Sequence, residues 1–442
     1  MEVARRFLDD FDPVSVEGRV AAVTGLGLDI DDRLGALDIG ARVAIERAQG
    51  PLLAEAVGLR DGAALCLPFG RLDGVRRGAR VEFLSARASI RPSADWLGRV
   101  VNGLGAPIDG LGPLVAGERA MALRAAPPPA PLRARLGARI DFGVKALNAF
   151  AMARSGQRLG VFSASGLGKS QLLSMIARHH DGDVAVIALI GERGREVREF
   201  IEDNLGPDGL RRAVVVAATS DEPAMLRREA AFVAMTVAEY FRDRGARVLC
   251  LMDSLTRVAS AQREIGLAAG EPPTVKGYTP SVFSLLPSLL ERAGPGLDDG
   301  RAGAITGVFS VLVESDDHDE PVADAARAIL DGHVVLDRRI AERGRFPAVD
   351  ILRSVSRAMP GVAAPEEARL IAAARKHASA YEDMREMIRI GAYRAGANED
   401  VDRAIEIHPR LERFLNQSAE EVVGMEETLR ALAAALDEDI AA

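Results

Sequence analysis

Apolar residues along this chain fall into three successive rhythms, and each predicts a different kind of structure. Between residues 17 and 90 they come in short runs, GRVAAV, ARVAIER, LLAEAVGL, ALCLPF and ARVEFL, separated by glycine and aspartate, with Val43 and Ile45 on one side of the second run. Short alternating runs with such punctuation predict a small β-barrel. From Leu159 onward, apolar runs at Leu159 to Phe162, Val184 to Ile190, Ala213 to Ala217, Val248 to Met252 and Ala304 to Val313 alternate with stretches of helical spacing. That alternation predicts a parallel sheet flanked by helices. Beyond Pro365 the pattern turns helical: PEEARLIAAARKHASAYEDMREMIRI opens with proline and two glutamates, and Ser418 with Glu421 has the form of a capping box for the last helix. A stripe of Val3, Phe7, Leu8 and Phe11 predicts a short amphipathic helix at the start. The expected organisation is a helix over residues 1–15, a β-barrel over 16–92, an α/β domain over 93–362 and a helical domain over 363–442, with the stiff linker APPPAP, Ala126 to Pro131, after the barrel.

Length and composition narrow the class without changing this picture. The 442 residues suffice for about three domains. No apolar run approaches the roughly 18 residues of a membrane span. The start, MEVARRFLDDFD, has no signal-peptide core, and two cysteines, Cys66 and Cys250, make no disulfide framework, so a cytoplasmic protein is expected. A net charge of −8 argues against non-specific nucleic-acid binding. The neighbours His179 and His180 lack a third spaced ligand, and surface histidines are the expectation there.

Chemistry enters at VFSASGLGKSQLL, Val161 to Leu173, which departs from G-x-x-x-x-G-K-[ST] only at Ser163. A phosphate-binding loop needs glycine where the backbone comes closest to the anion or takes positive φ, and Gly166 and Gly168 supply that. The run Ser165, Gly166, Leu167, Gly168, Lys169, Ser170 and Gln171 forms the expected cradle, with Lys169 reaching the phosphates and the Ser170 hydroxyl placed for Mg²⁺. Leu172, Leu173, Ile176 and Ala177 continue at helical spacing, so the loop opens a helix whose positive end faces the anion.

Two further stretches fit the same chemistry. After the strand ending at Ile190 comes GERGREV, which puts Glu192 and Arg193 at the carboxyl edge of the sheet, where open α/β sheets bind ligands. A carboxylate there can orient and polarise water for attack on a terminal phosphate. The run RVLCLMDSLTR ends a buried strand in Asp253, the form of an aspartate that holds Mg²⁺. Standing alone, the first reads more readily as a solvated charge cluster than as a catalytic group, and the second equally well as a helix cap. The order of loop, glutamate and strand-end aspartate favours the catalytic reading of both.

These motifs resemble those of the rotary ATPase superfamily, and within it the flagellar and type III secretion export ATPases, which are similar to the catalytic subunit of ATP synthase. The likeness runs from about Gly18 to the last helix and rests on LGRVVNGLGAPIDGLGPL, IGERGREVREFIED, LMDSLTRVASAQREIGLAAGEPPTVKGYTPSVFSLLPSLLERAG and ADAARAILDGHVVLDRRIAERGRFPAVDILRSVSR. The last contains P-x-x-D followed by S-x-S-R, here Pro347 to Arg357. A catalytic ATP synthase subunit fits less well, since that family continues GER with T-R-E-G where this chain reads G-R-E-V from Gly194. Ala164 and Thr279 also stand where the family more often carries glycine and proline.

The resemblance implies an α/β fold with a P-loop RecA-like parallel-sheet core, an N-terminal β-barrel and a C-terminal α-helical domain. It implies an ATP hydrolase that uses Mg²⁺ and serves flagellar protein export, with a virulence-type secretion ATPase as the nearest alternative. Lys169, Glu192, Arg193 and Arg357 are then the catalytic set, Arg357 as an arginine finger donated to a neighbouring subunit. Ser170 and Asp253 hold the metal. Phe346 matches an adenine-stacking aromatic, although an apolar ring there suits core packing equally well. Implied partners are five further copies in a homohexamer, a stator-like regulatory protein at the N-terminus, a central stalk protein, export chaperones and substrates, and a membrane export gate, with no nucleic acid. The implied place is the cytoplasmic face of the inner membrane. Lys276 and Tyr278, in the proline-rich loop Gly270 to Pro280, are expected to line a central pore.

Overall fold

The structure, a computed structural model, describes residues 16–301, 303–313 and 320–438. The helix expected over the first 15 residues lies outside them. Six strands close a barrel in the order β1-β2-β5-β4-β3-β6: β1 Glu17–Thr24, β2 Gly27–Asp31, β3 Arg42–Ile45, β4 Leu52–Arg60, β5 Ala63–Pro68 and β6 Arg80–Ser85. Its interior is filled by one side of each strand, including Val20, Leu28, Ile30, Val43, Ile45, Ala54, Cys66 and Val81. The sequence pattern passes over β2, GLDID, because its two aspartates read as turn punctuation; Leu28 and Ile30, which alternate with them, are fully buried.

The second domain is built on a nine-stranded sheet. Its main path runs through β7 Val100–Val101, β8 Arg158–Ser163, β9 Val184–Ile190, β10 Ala213–Ala218, β11 Arg247–Asp253, β12 Ala304–Leu312, β13 Gly332–Leu336 and β14 Val349–Ser356, in the order β14-β13-β8-β12-β11-β9-β10-β7. All neighbours along this path are parallel except the β13–β14 pair at the edge. Helices cover both faces, so β9 and β10 are buried at every position, as their unbroken apolar sequences require.

A cluster of five charges, all buried or half-buried except the exposed Arg124, fixes the barrel on this domain. Arg42 of β3 binds Glu229 at 2.7 Å, Glu55 of β4 accepts from Arg124 at 2.6 Å and from Arg228 at 2.8 Å, and Arg124 reaches Glu229 at 3.5 Å. The helical domain after Pro365 consists of Pro365–Arg389, Glu399–Leu415 and Met425–Leu436. Glu367 caps the first of these by accepting the Ala364 N–H at 2.7 Å.

The capping box expected from Ser418 and Glu421 does not start a helix. The last helix begins at Met425, whose N–H is taken by the Asp141 carboxylate at 2.6 Å. Glu421 closes a turn on Ser418 at 3.4 Å and is drawn toward Lys145 at 3.3 Å instead. His180 is also not a surface residue: it is buried, its Nδ1 accepts the Gly182 N–H at 3.0 Å, and burial with Arg212 nearby pushes its pKa down to about 3.

Candidate active site

The loop between β8 and the helix Lys169–His179 stands at the carboxyl edge of the sheet. Gly166 and Gly168 take φ of 82° and 79°, values that a side chain strongly disfavours, so the two glycines permit the curl of the backbone. Ser165, Gly166, Ser170 and Gln171 are exposed along it, whereas Leu167 is anchored in the core. Leu172, Leu173, Ile176 and Ala177 bury the opposite face of the helix against the sheet and aim its N-terminus at the site.

Parallel pairing brings the two carboxylates together. β9 and β11 pair with Leu189 opposite Asp253, so Glu192, just past the end of β9, and Asp253, at the end of β11, project from the same edge. Lys169 Nζ lies 3.3 Å from Glu192 Oε1 and also donates to Asp253 Oδ1. Ser310 Oγ, on β12, which lies between β8 and β11, donates to the same Asp253 oxygen at 2.6 Å. Burial raises the Glu192 pKa above the ordinary carboxylate value; Lys169 opposes that rise and the Asp253 charge adds to it.

This donor set suits a hard divalent cation. Lys169, Glu192 and Asp253 together carry one net negative charge, and Asp253 Oδ2 meets no hydrogen-bond donor among the described residues. The exposed Ser170 hydroxyl opens the helix beside Lys169. No cluster of three or more His, Cys, Asp or Glu with metal-binding geometry occurs among the described residues. A site with one carboxylate and one hydroxyl fits Mg²⁺, which keeps several waters and shares substrate phosphates.

Phe346 forms a wall of the same cleft. A Cβ added to Gly168 would stand 3.3 Å from Phe346 Cδ1, so the half-buried ring lies directly against the loop. The helical domain holds it there: Phe346 N–H donates to Asn416 Oδ1 at 3.1 Å, the Phe346 carbonyl accepts from the Gln417 N–H at 2.8 Å, and Arg345 pairs with Glu412 at 3.1 Å.

The two arginines are placed differently. The Arg193 side chain is 78% exposed and lies 3.6 Å from Glu196. Arg357 follows β14, its backbone N–H bound to the Asp331 carbonyl at 2.8 Å, while the residue is exposed and makes no ion pair among the described residues. Both stand at the surface of one subunit. Sequence reasoning missed Ser310, Asn416 and Arg257. The last lies one helical turn after Asp253, with its aliphatic stem packed over Gly191 next to Glu192, where a Cβ on that glycine would stand 2.9 Å away. Its spacing from Asp253 was a signal in the sequence; the positions of Ser310 and Asn416 depend on tertiary contacts. Tyr278 corrects the pore expectation: its ring is buried against Phe283 with Arg263 5.3 Å above it, and only Lys276 of that pair is exposed.

A phosphate loop, a strand-end aspartate and a glutamate on adjacent parallel strands, behind a β-barrel, define a class of nucleotide-binding protein, and comparison with known proteins agrees. Residues 143–356 match the ATP synthase alpha/beta family nucleotide-binding domain, residues 20–85 its beta-barrel domain, and residues 363–434 the T3SS EscN ATPase C-terminal domain. The chain is 56% identical over 425 residues to the flagellum-specific ATP synthase of Caulobacter vibrioides, covering 95% of this chain and 96% of that one. It is 47% identical over 378 residues to the SPI-2 type 3 secretion system ATPase of Salmonella typhimurium, covering 85% of this chain and 86% of the relative. The assembled ATPase EscN of enteropathogenic E. coli superposes with a TM-score of 0.89 at 39% identity, covering 95% of this chain and 100% of EscN. The chain therefore belongs to the ATP synthase alpha/beta family and, within it, to the flagellum-specific ATP synthases and their type III secretion relatives.

Proposed function

We propose that this protein is a Mg²⁺-dependent ATP hydrolase that energises flagellar protein export. The observation that carries the reading is the convergence of Lys169, Glu192 and Asp253 beside the glycine loop at the carboxyl edge of the sheet. Backbone N–H groups from Ser165 to Gln171 bind the phosphates, and Lys169 moves from the two carboxylates to the β- and γ-oxygens. Glu192 accepts a hydrogen bond from a water and takes its proton as the water oxygen attacks the γ-phosphorus. That bond forms while the bond to the β–γ bridging oxygen breaks, leaving ADP and phosphate. Ser170 and Asp253 would hold Mg²⁺, which would supply charge neutralisation to the phosphates. Phe346 stacks on the base.

Arg357 faces outward, and in this reading it completes the site of an adjacent copy in a homohexameric ring. Arg193 is exposed, and its part in catalysis likewise requires the assembled ring. EscN has been solved in complex with its central stalk EscO, and that complex resembles this chain with a TM-score of 0.86 at 38% identity. We extend a central stalk to this chain, together with a stator-like regulator at residues 1–15. No helix among the described residues is long and apolar enough to cross a membrane. The proposed place is the cytoplasmic face of the inner membrane, next to the export gate, where chaperones deliver substrates. Deleting the gene tests the assignment: filament assembly is lost and growth by oxidative phosphorylation is normal, whereas intact filaments contradict it.

A further inference from the structure

Ser310 occupies an unusual place for a hydroxyl. It is fully buried in β12, in the run Gly307 to Val311, where every other side chain is apolar or absent. A buried hydroxyl costs free energy unless it finds a partner, and an alanine would fit such a strand without that cost. β12 lies between the strand that leads into the phosphate loop and the strand that ends in Asp253. Ser310 is in register with Val161 on one side, and its neighbour Phe309 is in register with Met252 on the other. The hydroxyl spends its hydrogen bond on Asp253 Oδ1, at 2.6 Å.

Lys169 donates to that same oxygen, so both donors act on Oδ1 and neither on Oδ2. The terminal torsion of an aspartate is broad and nearly two-fold, so the carboxylate turns unless something pins it. When Lys169 leaves for the phosphates, Ser310 is the remaining donor to Asp253 among the described residues. We propose that Ser310 is a positioning residue: it holds Asp253 by one oxygen so that the other is presented to the divalent cation of the bound nucleotide. This rests on the reading of Asp253 as the metal residue and adds a second layer to it.

Partners of metal ligands at this remove typically change metal affinity by 10–100-fold when removed. The experiment measures binding of a fluorescent ATP analogue to the full chain while Mg²⁺ is titrated, so that turnover is not the readout. In Ser310→Ala the Mg²⁺ concentration that half-completes the tightening of nucleotide rises about tenfold or more. Nucleotide affinity in EDTA stays at the wild-type value, and Ser310→Thr, which restores the hydroxyl, restores the Mg²⁺ response. A Ser310→Ala curve that coincides with wild type overturns the proposal. So does an equal loss with and without Mg²⁺, or a failure of threonine to rescue. Should Ser310→Ala not fold, Ser310→Cys, which keeps the volume and weakens the donor, is read by the same criteria. Asp253→Asn separates the two layers. If it also leaves the Mg²⁺ response unmoved, the metal assignment of Asp253 fails; if it shifts the response and Ser310→Ala does not, only the role of Ser310 fails.

Discussion

The ring of Phe346 lies against the backbone of Gly168, although the chain between them passes through five strands of the sheet's main path.

 The two positions stand 178 apart in the sequence, with β9 to β13 between them. Contact between them joins the phosphate end of the cleft to the wall held by Asn416 and Gln417. Stacking of a base on an aromatic ring is worth about 1–3 kcal/mol by alanine substitution. Phe346→Ala is therefore expected to weaken ATP binding about tenfold or more, and Phe346→Tyr to keep it, as measured by titration with a fluorescent ATP analogue. Unchanged affinity in Phe346→Ala would leave the ring a packing residue only.

Glu192 carries the second prediction. Glu192→Gln keeps size and hydrogen bonding and removes the carboxylate, so nucleotide still binds and turnover falls by about 10²-fold or more. Retention of more than about a tenth of turnover moves the base elsewhere.

The acidity of Glu192 gives a third. Burial raises its folded-state pKa above the ordinary 4.5, with Lys169 opposing and Asp253 adding to the rise. The active carboxylate is thus lost as pH falls through that raised value, and kcat/KM declines at a higher pH than an ordinary glutamate would give. The sign for stability is the reverse: protonation relieves a buried charge, so this residue's penalty shrinks as pH falls through the folded pKa. A pH profile of kcat/KM for wild type, set against the residual activity of Glu192→Gln, checks the limb; a limb that persists unchanged in the variant belongs to another group.

The charge cluster between barrel and sheet supplies a fourth. Glu229 has no exposed side-chain surface and is the ion-pair partner of Arg42. Removing one member of a buried ionic group typically costs about 3–5 kcal/mol, so Glu229→Ala should lower the thermal midpoint by several degrees. Burial pushes the Glu55 carboxyl up, but Arg228 and Arg124 outweigh it and hold its pKa below 4.5. Its contribution is present above about pH 4.5 and lost as pH falls through the lower folded value, so acid unfolding of Glu55→Gln should be less steep than that of wild type. Identical acid transitions would contradict this.

The parts of the fold and site that were legible in sequence are those fixed by local chemistry. Gly166, Gly168 and Lys169 announce a phosphate loop because backbone shape and charge there are dictated residue by residue, and Asp253 is legible because it ends a buried apolar run. Ser310 was not, since a lone polar residue in GVFSVLV acquires meaning only when strand order puts β12 between β8 and β11. Asn416 depends in the same way on docking of the helical domain. Ser418 and Glu421 had the right spacing for a cap, but Lys145, 276 positions away, competes for the glutamate. Tyr278 sits in a loop whose prolines mark it as irregular, and irregular backbone does not prevent a ring from turning inward onto Phe283.

The central claim is that the catalytic site is shared between subunits, with Lys169 from one copy and Arg357 from the next. An arginine finger contributes roughly 10³–10⁵ in rate in comparable phosphoryl transfer, far above the 1 kcal/mol or less of an exposed ion pair, so the effect is large enough to read in a mixture. The most direct measurement mixes two separately inactive variants, Lys169→Ala and Arg357→Ala, under conditions in which subunits exchange, with mixed assemblies verified by copurification through different tags. Interfaces that combine an intact Lys169 from one chain with an intact Arg357 from another should recover ATP hydrolysis. Verified mixed assemblies that stay inactive would contradict the shared site and confine Arg357 to its own subunit.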